Sequence, residues 1–159
     1  MPLRGGIVRV MVRGMVNLAA LQKYSLFGGI LPEEIERIRP LLEESCFEAG
    51  SEIIREGERN DRVYFILEGR VRVSKGGISI VELGEGDTFG EMELLDVMPS
   101  AATITAILRT SVATISNRAL HEIYHSNVGT FALIVMNLAR DLSRHLRRMD
   151  DLMTGGSFR

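Results

Sequence analysis

Hydrophobic and polar positions change rhythm twice along this chain. As far as about residue 44 the apolar residues recur at helical spacing. Leu18, Leu21 and Tyr24 share one face of a first helix, which the Gly28-Gly29 pair ends. Pro32 then suits the first turn of a second helix, Glu33 and Glu34 suit the positive end of its dipole, and Ile35, Ile38, Leu41 and Leu42 form its apolar stripe. The spacing therefore predicts helices within residues 16–44.

From about residue 45 to residue 117 the period becomes two. Short alternating runs follow one another: Glu52-Ile53-Ile54-Arg55, Val63-Tyr64-Phe65-Ile66-Leu67, Val71-Arg72-Val73, Ile78-Ser79-Ile80-Val81 and Thr103-Ile104-Thr105-Ala106-Ile107. Gly50, Gly57, Gly69, Gly76-Gly77, Gly84 and Gly86 punctuate them. Closely spaced strands with turn glycines between them predict a small antiparallel roll or jelly roll. Gly76-Gly77 predicts a tight hairpin, because primed turns need positive φ at both central positions.

Helical spacing returns over 118–153. Leu120, Ile123, Tyr124 and Val128 make one stripe. Phe131, Val135, Leu138, Leu142, His145, Met149 and Leu152 then follow at alternating intervals of four and three, a coiled-coil-like seam apolar everywhere except His145. A seam of this length predicts pairing with a second copy, so the chain is expected to be a homodimer. In such a pair His145 would fix the register or sit at the wet margin of the seam; alternatively it would meet its own counterpart, and protonation would loosen the seam. The fold class that emerges is α+β, mainly β: an antiparallel β-roll with N-terminal helices and a long C-terminal helix, forming one domain over 15–153.

Composition narrows the class of protein. The chain has 159 residues, 45% hydrophobic and 25% charged, with a formal net charge of −2. That balance is ordinary for a globular domain and offers no electrostatic case for nucleic acid. No apolar run reaches the roughly 18 residues of a membrane span. Cys46 has no partner for an internal disulfide, which points to the cytoplasm, and its place beside Phe47 reads as a core thiol. In residues 1–14, Arg4, Arg9 and Arg13 break any signal-peptide core, and Met11 and Met15 suggest an over-extended start; residues 154–159 read as a short tail.

The chemically informative run is Phe89-Gly90-Glu91-Met92-Glu93-Leu94-Leu95-Asp96-Val97-Met98-Pro99-Ser100-Ala101-Ala102-Thr103. It interrupts the strands with a glycine, a carboxylate, a helical stretch and a proline, and a helix start inserted in a roll offers unpaired N–H groups to an anion. This run resembles the phosphate-binding cassette of the cyclic-nucleotide-binding domain family, which includes catabolite-activator-type regulators and regulatory subunits of cAMP-dependent kinase. The match lies at Phe89, Gly90, Glu91, Leu94, Pro99, Ala101, Ala102 and Thr103. Phe47, Gly50, Gly57, Tyr64, Ile66, Gly69, Val71, Gly84 and Gly86 fit the family's supporting pattern, so the resemblance covers about 16 to 152.

The resemblance implies a sensor module rather than an enzyme, with no cofactor and with cAMP or cGMP as the ligand to consider. It implies a binding set of Gly90, Glu91, Met92, Glu93, Ser100, Ala101 and Thr103, with Glu91 holding a ribose hydroxyl and Gly90, Met92, Ser100 and Ala101 lining the phosphate position. Two residues depart from the family. Ser100 stands where the family's arginine grips the cyclic phosphate, and Glu93 stands where a small residue is usual. A hydroxyl cannot reproduce a bidentate guanidinium, and losing such a partner costs about 2–5 kcal/mol, roughly one and a half to three and a half decades of affinity. Glu93 would add like charge to the site. The expected ligand is therefore a cyclic nucleotide or another anionic effector held by a degenerate cassette.

Other readings compete with it. A ligand-free dimerisation scaffold that recruits a downstream protein keeps the fold without the chemistry. His121-Glu122-Ile123-Tyr124-His125 matches the H-E-x-x-H pattern of zinc hydrolases, with Asp141 as a conceivable third ligand. A cupin-type metal site fails on inventory, since no histidine falls between Cys46 and Asn117. Only Met153 to Arg159 follow the long helix, so no DNA-reading domain is expected, and Arg140, Arg144, Arg147 and Arg148 read as a solvated helix face partly balanced by Asp141, Asp150 and Asp151.

Overall fold

Proline sets the first boundary. Helix α1 spans Pro32–Ile38 with Pro at its N-terminal turn, and Pro40, which cannot continue a helical hydrogen-bond ladder, sits in a 3-10 turn at Arg39–Leu41. The chain is extended from Leu42 onward, so the helical stripe expected as far as Leu42 ends earlier than its spacing suggests. The computed structural model describes residues 25–92 and 97–155. The expected helix around Leu18, Leu21 and Tyr24, the 1–14 extension, Glu93 and the end of the tail lie outside them.

The strands are β1 (Leu42–Phe47), β2 (Glu52–Ile54), β3 (Arg62–Glu68), β4 (Arg70–Lys75), β5 (Ile78–Gly84), β6 (Thr88–Phe89), β7 (Thr103–Ala106) and β8 (Thr110–Ser116). They pair antiparallel in two four-stranded sheets ordered β1-β8-β3-β6 and β2-β7-β4-β5. This is the predicted antiparallel roll with flanking helices. Gly76 and Gly77, at φ 56° and 78°, make the primed turn between β4 and β5.

Strand β3 shows why its run reads as almost continuously apolar. Val63 and Phe65 face a cluster with Leu26, Phe27, Ile35, Ile123, Ile134 and Leu138, whereas Ile66 faces the interior of the roll with Phe47, Ile54, Val71, Leu83, Phe89 and Ile104. The first sheet is thus buried on both faces, between the helices and the second sheet. Cys46 corrects the expectation of a core thiol: it is half-buried, and its sulfur accepts from Arg109 Nε at 3.3 Å.

Two helices close the chain, α2 (Asn117–Ser126) and α3 (Val128–Met153). Ser116 caps α2 by accepting from the Ala119 N–H, and Asn127 caps α3 by accepting from the Thr130 N–H, each at 3.0 Å. Asn137, buried on α3, donates to the Leu26 and Gly28 carbonyls at 2.9 Å each, tying the N-terminal turn to the long helix. Among the described residues no helix is long and apolar enough to cross a membrane.

Candidate functional site

The interior of the roll opens at one end, between β6 and β7, where the cassette begins. Phe89 stacks on Tyr64 with ring centroids 4.8 Å apart and the planes 3° from parallel. Gly90 follows at φ 83°, and a Cβ there would lie 2.7 Å from the Arg62 carbonyl oxygen and 2.8 Å from Asn60 Nδ2. Asn60 fills that close approach by donating to the Arg62 and Gly90 carbonyls. Glycine is thus required here by backbone angle and by space.

Glu91 and Met92 are helical; Glu91 is 4% exposed and Met92 projects outward at 51%. On the far side of the cassette, the Ser100 backbone is pinned to the β2–β3 turn, its N–H donating to the Glu58 carbonyl and its carbonyl accepting from the Gly57 N–H, both at 2.8 Å. Its side chain is buried. Glu91 Oε2 and Ser100 Oγ are both buried with no hydrogen-bond partner among the described residues. Thr103, by contrast, already accepts from the Glu56 N–H through its hydroxyl at 3.0 Å, so it ties β7 to the turn after β2.

Between these groups lies a cavity of about 150 Å³ whose walls include Ile54, Val73, Leu83, Glu91, Ala101 and Ile104. Its roof comes from α3, through Leu142, His145, Leu146, Arg148 and Met149. The volume is below the roughly 300–1,000 Å³ usual for small-molecule sites.

Charge holds that roof down. His145 Nδ1 lies 3.5 Å from Glu91 Oε1 and Nε2 lies 3.9 Å from Asp87 Oδ1. Arg148 Nη1 is 3.6 Å from Asp87 Oδ2, which also accepts from the Gly84 N–H at 2.9 Å. Asp87 first, and then Glu91, favour the protonated imidazole and push the His145 pKa up to about 9, against the opposing effect of burial. Burial would raise the Asp87 carboxyl, but His145, the Gly84 N–H and Arg148 outweigh it and hold the group below its ordinary value. One turn earlier on α3, buried Asp141 accepts from Thr88 Oγ1 at 3.3 Å and from Arg144.

The structure thus brings Gly90, Glu91, Met92 and Ala101 to one cavity, whereas Ser100, next to Ala101, is buried without lining it, and the Thr103 hydroxyl is engaged elsewhere. Asp87, Thr88, Asp141 and Arg148 are participants that no sequence motif singles out. For Asp141 and Arg148 a periodic signal is nonetheless present, since they fall at helical intervals with His145 on one face, and Asp141, expected on a solvated face, is buried there.

The pairing seam needs correction at two positions. Leu138 is 1% exposed in the chain's own core, and His145 faces Glu91 and Asp87 rather than a counterpart on a second copy. Phe131, Val135, Leu142 and Met149 are half-buried at the margin of that inner face. On α2, His121 Nε2 and His125 Nε2 stand 3.0 Å apart and Glu122 pairs with Arg118 at 3.4 Å. Among the described residues no group of three or more His, Cys, Asp or Glu side chains gathers as a metal site, and Asp141 is engaged with Thr88 and Arg144.

Comparison with known proteins bears on the same segment. Residues 44–127 match the family described as "Cyclic nucleotide-binding domain". A cAMP-dependent protein kinase regulatory subunit from Eremothecium gossypii is 40% identical over 80 residues, covering 50% of this chain and 18% of that protein. The Cyclic AMP receptor protein of Thermus thermophilus is 30% identical over 130 residues, covering 79% of this chain and 58% of that protein. The chain therefore spans less than two-thirds of either curated relative. Among solved structures, a cyclic nucleotide-binding domain from Methylobacillus flagellatus superposes with a TM-score of 0.79 at 26% identity, covering 89% of this chain and 83% of that one.

Proposed function

Since the chain belongs to the cyclic nucleotide-binding domain family, we propose that it is a sensor module that takes a cyclic nucleotide or related anionic effector beside Glu91 and conveys occupancy through α3. The observation that carries this reading is the pair of buried atoms Glu91 Oε2 and Ser100 Oγ, which have no partner among the described residues. A buried polar atom without a partner costs about 1–3 kcal/mol, so one on a residue lining the cavity, Glu91, and one on Ser100, next in sequence to the lining residue Ala101, call for a guest that supplies the missing hydrogen bonds. A ligand hydroxyl donating to Glu91 and an anionic oxygen accepting from Ser100 would satisfy both. The module is a binding protein of the cytoplasm, in keeping with its lone thiol.

Pairing through α3 is part of the proposal, with the seam rotated to the outer face. Val128, Ala132, Val135, Ala139, Leu142, Leu146, Met149 and Met153 follow at alternating intervals of four and three. Val128, Leu146 and Met153 on this line are 62%, 62% and 84% exposed, a poor arrangement for an isolated helix and a suitable one for a second copy.

The size of the cavity favours a second reading, a ligand-free dimerisation scaffold in which α3 permanently fills the old site. Calorimetry with cAMP and cGMP on the wild type and on Ser100→Arg separates the two. The sensor reading expects weak wild-type binding, strengthened in the variant by about one and a half to three and a half decades. Binding by neither protein favours the scaffold, and binding by the variant alone identifies a lost site.

A further inference from the structure

We infer that α3 is a latch that occupies the effector pocket of its own chain, His145 holding the same Glu91 carboxylate that an incoming ligand must use, so that ligand and helix compete. This inference rests on the effector reading above. It adds a direction to the coupling: the resting chain is closed by α3, and the effector releases it.

Three observations converge. The cavity, at about 150 Å³, is small because Leu142, Leu146 and Met149 project from α3 toward it, so a guest of nucleotide size requires those side chains to withdraw. They share a helix with His145 and Arg148, so a shift of α3 that clears them from the pocket carries those two residues with it. Withdrawal therefore separates His145 from Glu91 and Asp87, and Arg148 from Asp87. Finally, Glu91 keeps its second oxygen without a partner among the described residues, so the latch engages the carboxylate through one oxygen and leaves an acceptor for a competing donor.

The charges around the latch assign it a pH response. His145 faces Asp87 on the β5–β6 turn and Glu91 at the start of the cassette; on its own helix Asp141, Arg144 and Arg148 lie nearby, the first two paired with each other. While closed, the imidazole holds its proton up to a pKa of about 9; withdrawn into water it returns toward 6.5. Opening at pH 7.5–8 therefore releases close to one proton. The closed state also lowers the apparent affinity for effector by the fraction of molecules that are open, so weakening the latch strengthens binding.

The test uses the full chain, cAMP as probe, and the variants His145→Gln and Arg148→Gln. Titration calorimetry at pH 7.5 in buffers of different ionisation enthalpy should show proton release with the wild type and none with His145→Gln. His145→Gln should bind about tenfold or more tightly, and Arg148→Gln should change in the same direction by less. Hydrogen exchange without ligand should quicken in both variants over residues 142–153. Unchanged or weaker binding by His145→Gln, with no proton released by the wild type, overturns the latch. If no protein binds cAMP, the effector reading fails by itself; the latch then rests on the exchange data, where faster exchange upholds it and unchanged exchange sinks it.

Discussion

Replacing His145 by glutamine removes the imidazole that bridges Asp87 and Glu91, and its effect on stability can be worked out from the geometry. The side chain is 18% exposed, so solvent screens it little. Its pKa rises from 6.5 to about 9 on folding. At 1.36 kcal/mol per unit this is worth about 3 kcal/mol to the folded state. The sign follows from proton counting. Between pH 6.5 and 9 the folded chain keeps a proton that the unfolded chain has lost, so stability falls as pH rises. The contribution is complete below 6.5, about half gone near 7.75, and nearly absent above 9.

Urea denaturation from pH 6 to 9.5 on both proteins measures this, and subtracting the variant's curve isolates the contribution of His145. The wild type should lose about 3 kcal/mol more than His145→Gln across the range. In thermal melts the differential is about 6–12 °C for a chain of this size. On the acid side Asp87 behaves oppositely: its depressed pKa contributes stability above the ordinary value of 3.8 that is lost as pH falls through the folded value. A difference between wild type and variant that stays flat from pH 6.5 to 9 would refute the bridge, whatever the absolute stabilities.

Gly90→Ala and Gly77→Ala separate two costs that both arise at positive φ. A methyl group added at Gly77 would meet nothing within 4 Å, so its variant should lose only about 1–2 kcal/mol from backbone angle, whereas Gly90→Ala must also displace Asn60 and should lose about 2–4 kcal/mol in urea titrations. Ala139→Glu places a charge on the outer stripe of α3 away from the cavity, and sedimentation velocity should then report a monomer with the wild-type fold; a dimer that persists moves the pairing face elsewhere.

Local chemistry was the legible part of this sequence. The Gly76-Gly77 turn and the β3 run could be read because their signals lie within a few residues. Strand β8 gave no comparable signal, since Thr110 and Thr114 are buried along it: the Thr110 hydroxyl donates to the Leu108 carbonyl and accepts from the Arg70 N–H, and the Thr114 hydroxyl donates to the Glu43 carbonyl. Buried hydroxyls with backbone partners read as polar positions, which hides a central strand from any search for alternation. The family was legible by resemblance. The Asp87–His145–Glu91 bridge was not, because it joins segments far apart in sequence and because His145 fitted an apolar seam as its one exception.

The ambiguity of α3 has a physical origin that bears on function. Its sequence carries two apolar stripes, one through Phe131, Leu138 and Leu152 and one through Val128, Ala132, Ala139, Leu146 and Met153, which share Val135, Leu142 and Met149. Spacing alone cannot choose between them, since both alternate four and three. The roll resolves the choice by taking Ile134, Asn137, Leu138 and Asp141 inward. Leu142 and Met149 then lie at the boundary, lining the cavity on one side and continuing the outer stripe on the other. A ligand that moves them out of the pocket necessarily alters the surface offered to a second copy. If the chain pairs and binds as proposed, occupancy and pairing would be coupled through these shared side chains, without a relay of intermediate residues. A pocket variant such as Ser100→Arg should accordingly shift the dimerisation constant when cAMP is added, and an association constant indifferent to ligand in a variant that binds it would break that link.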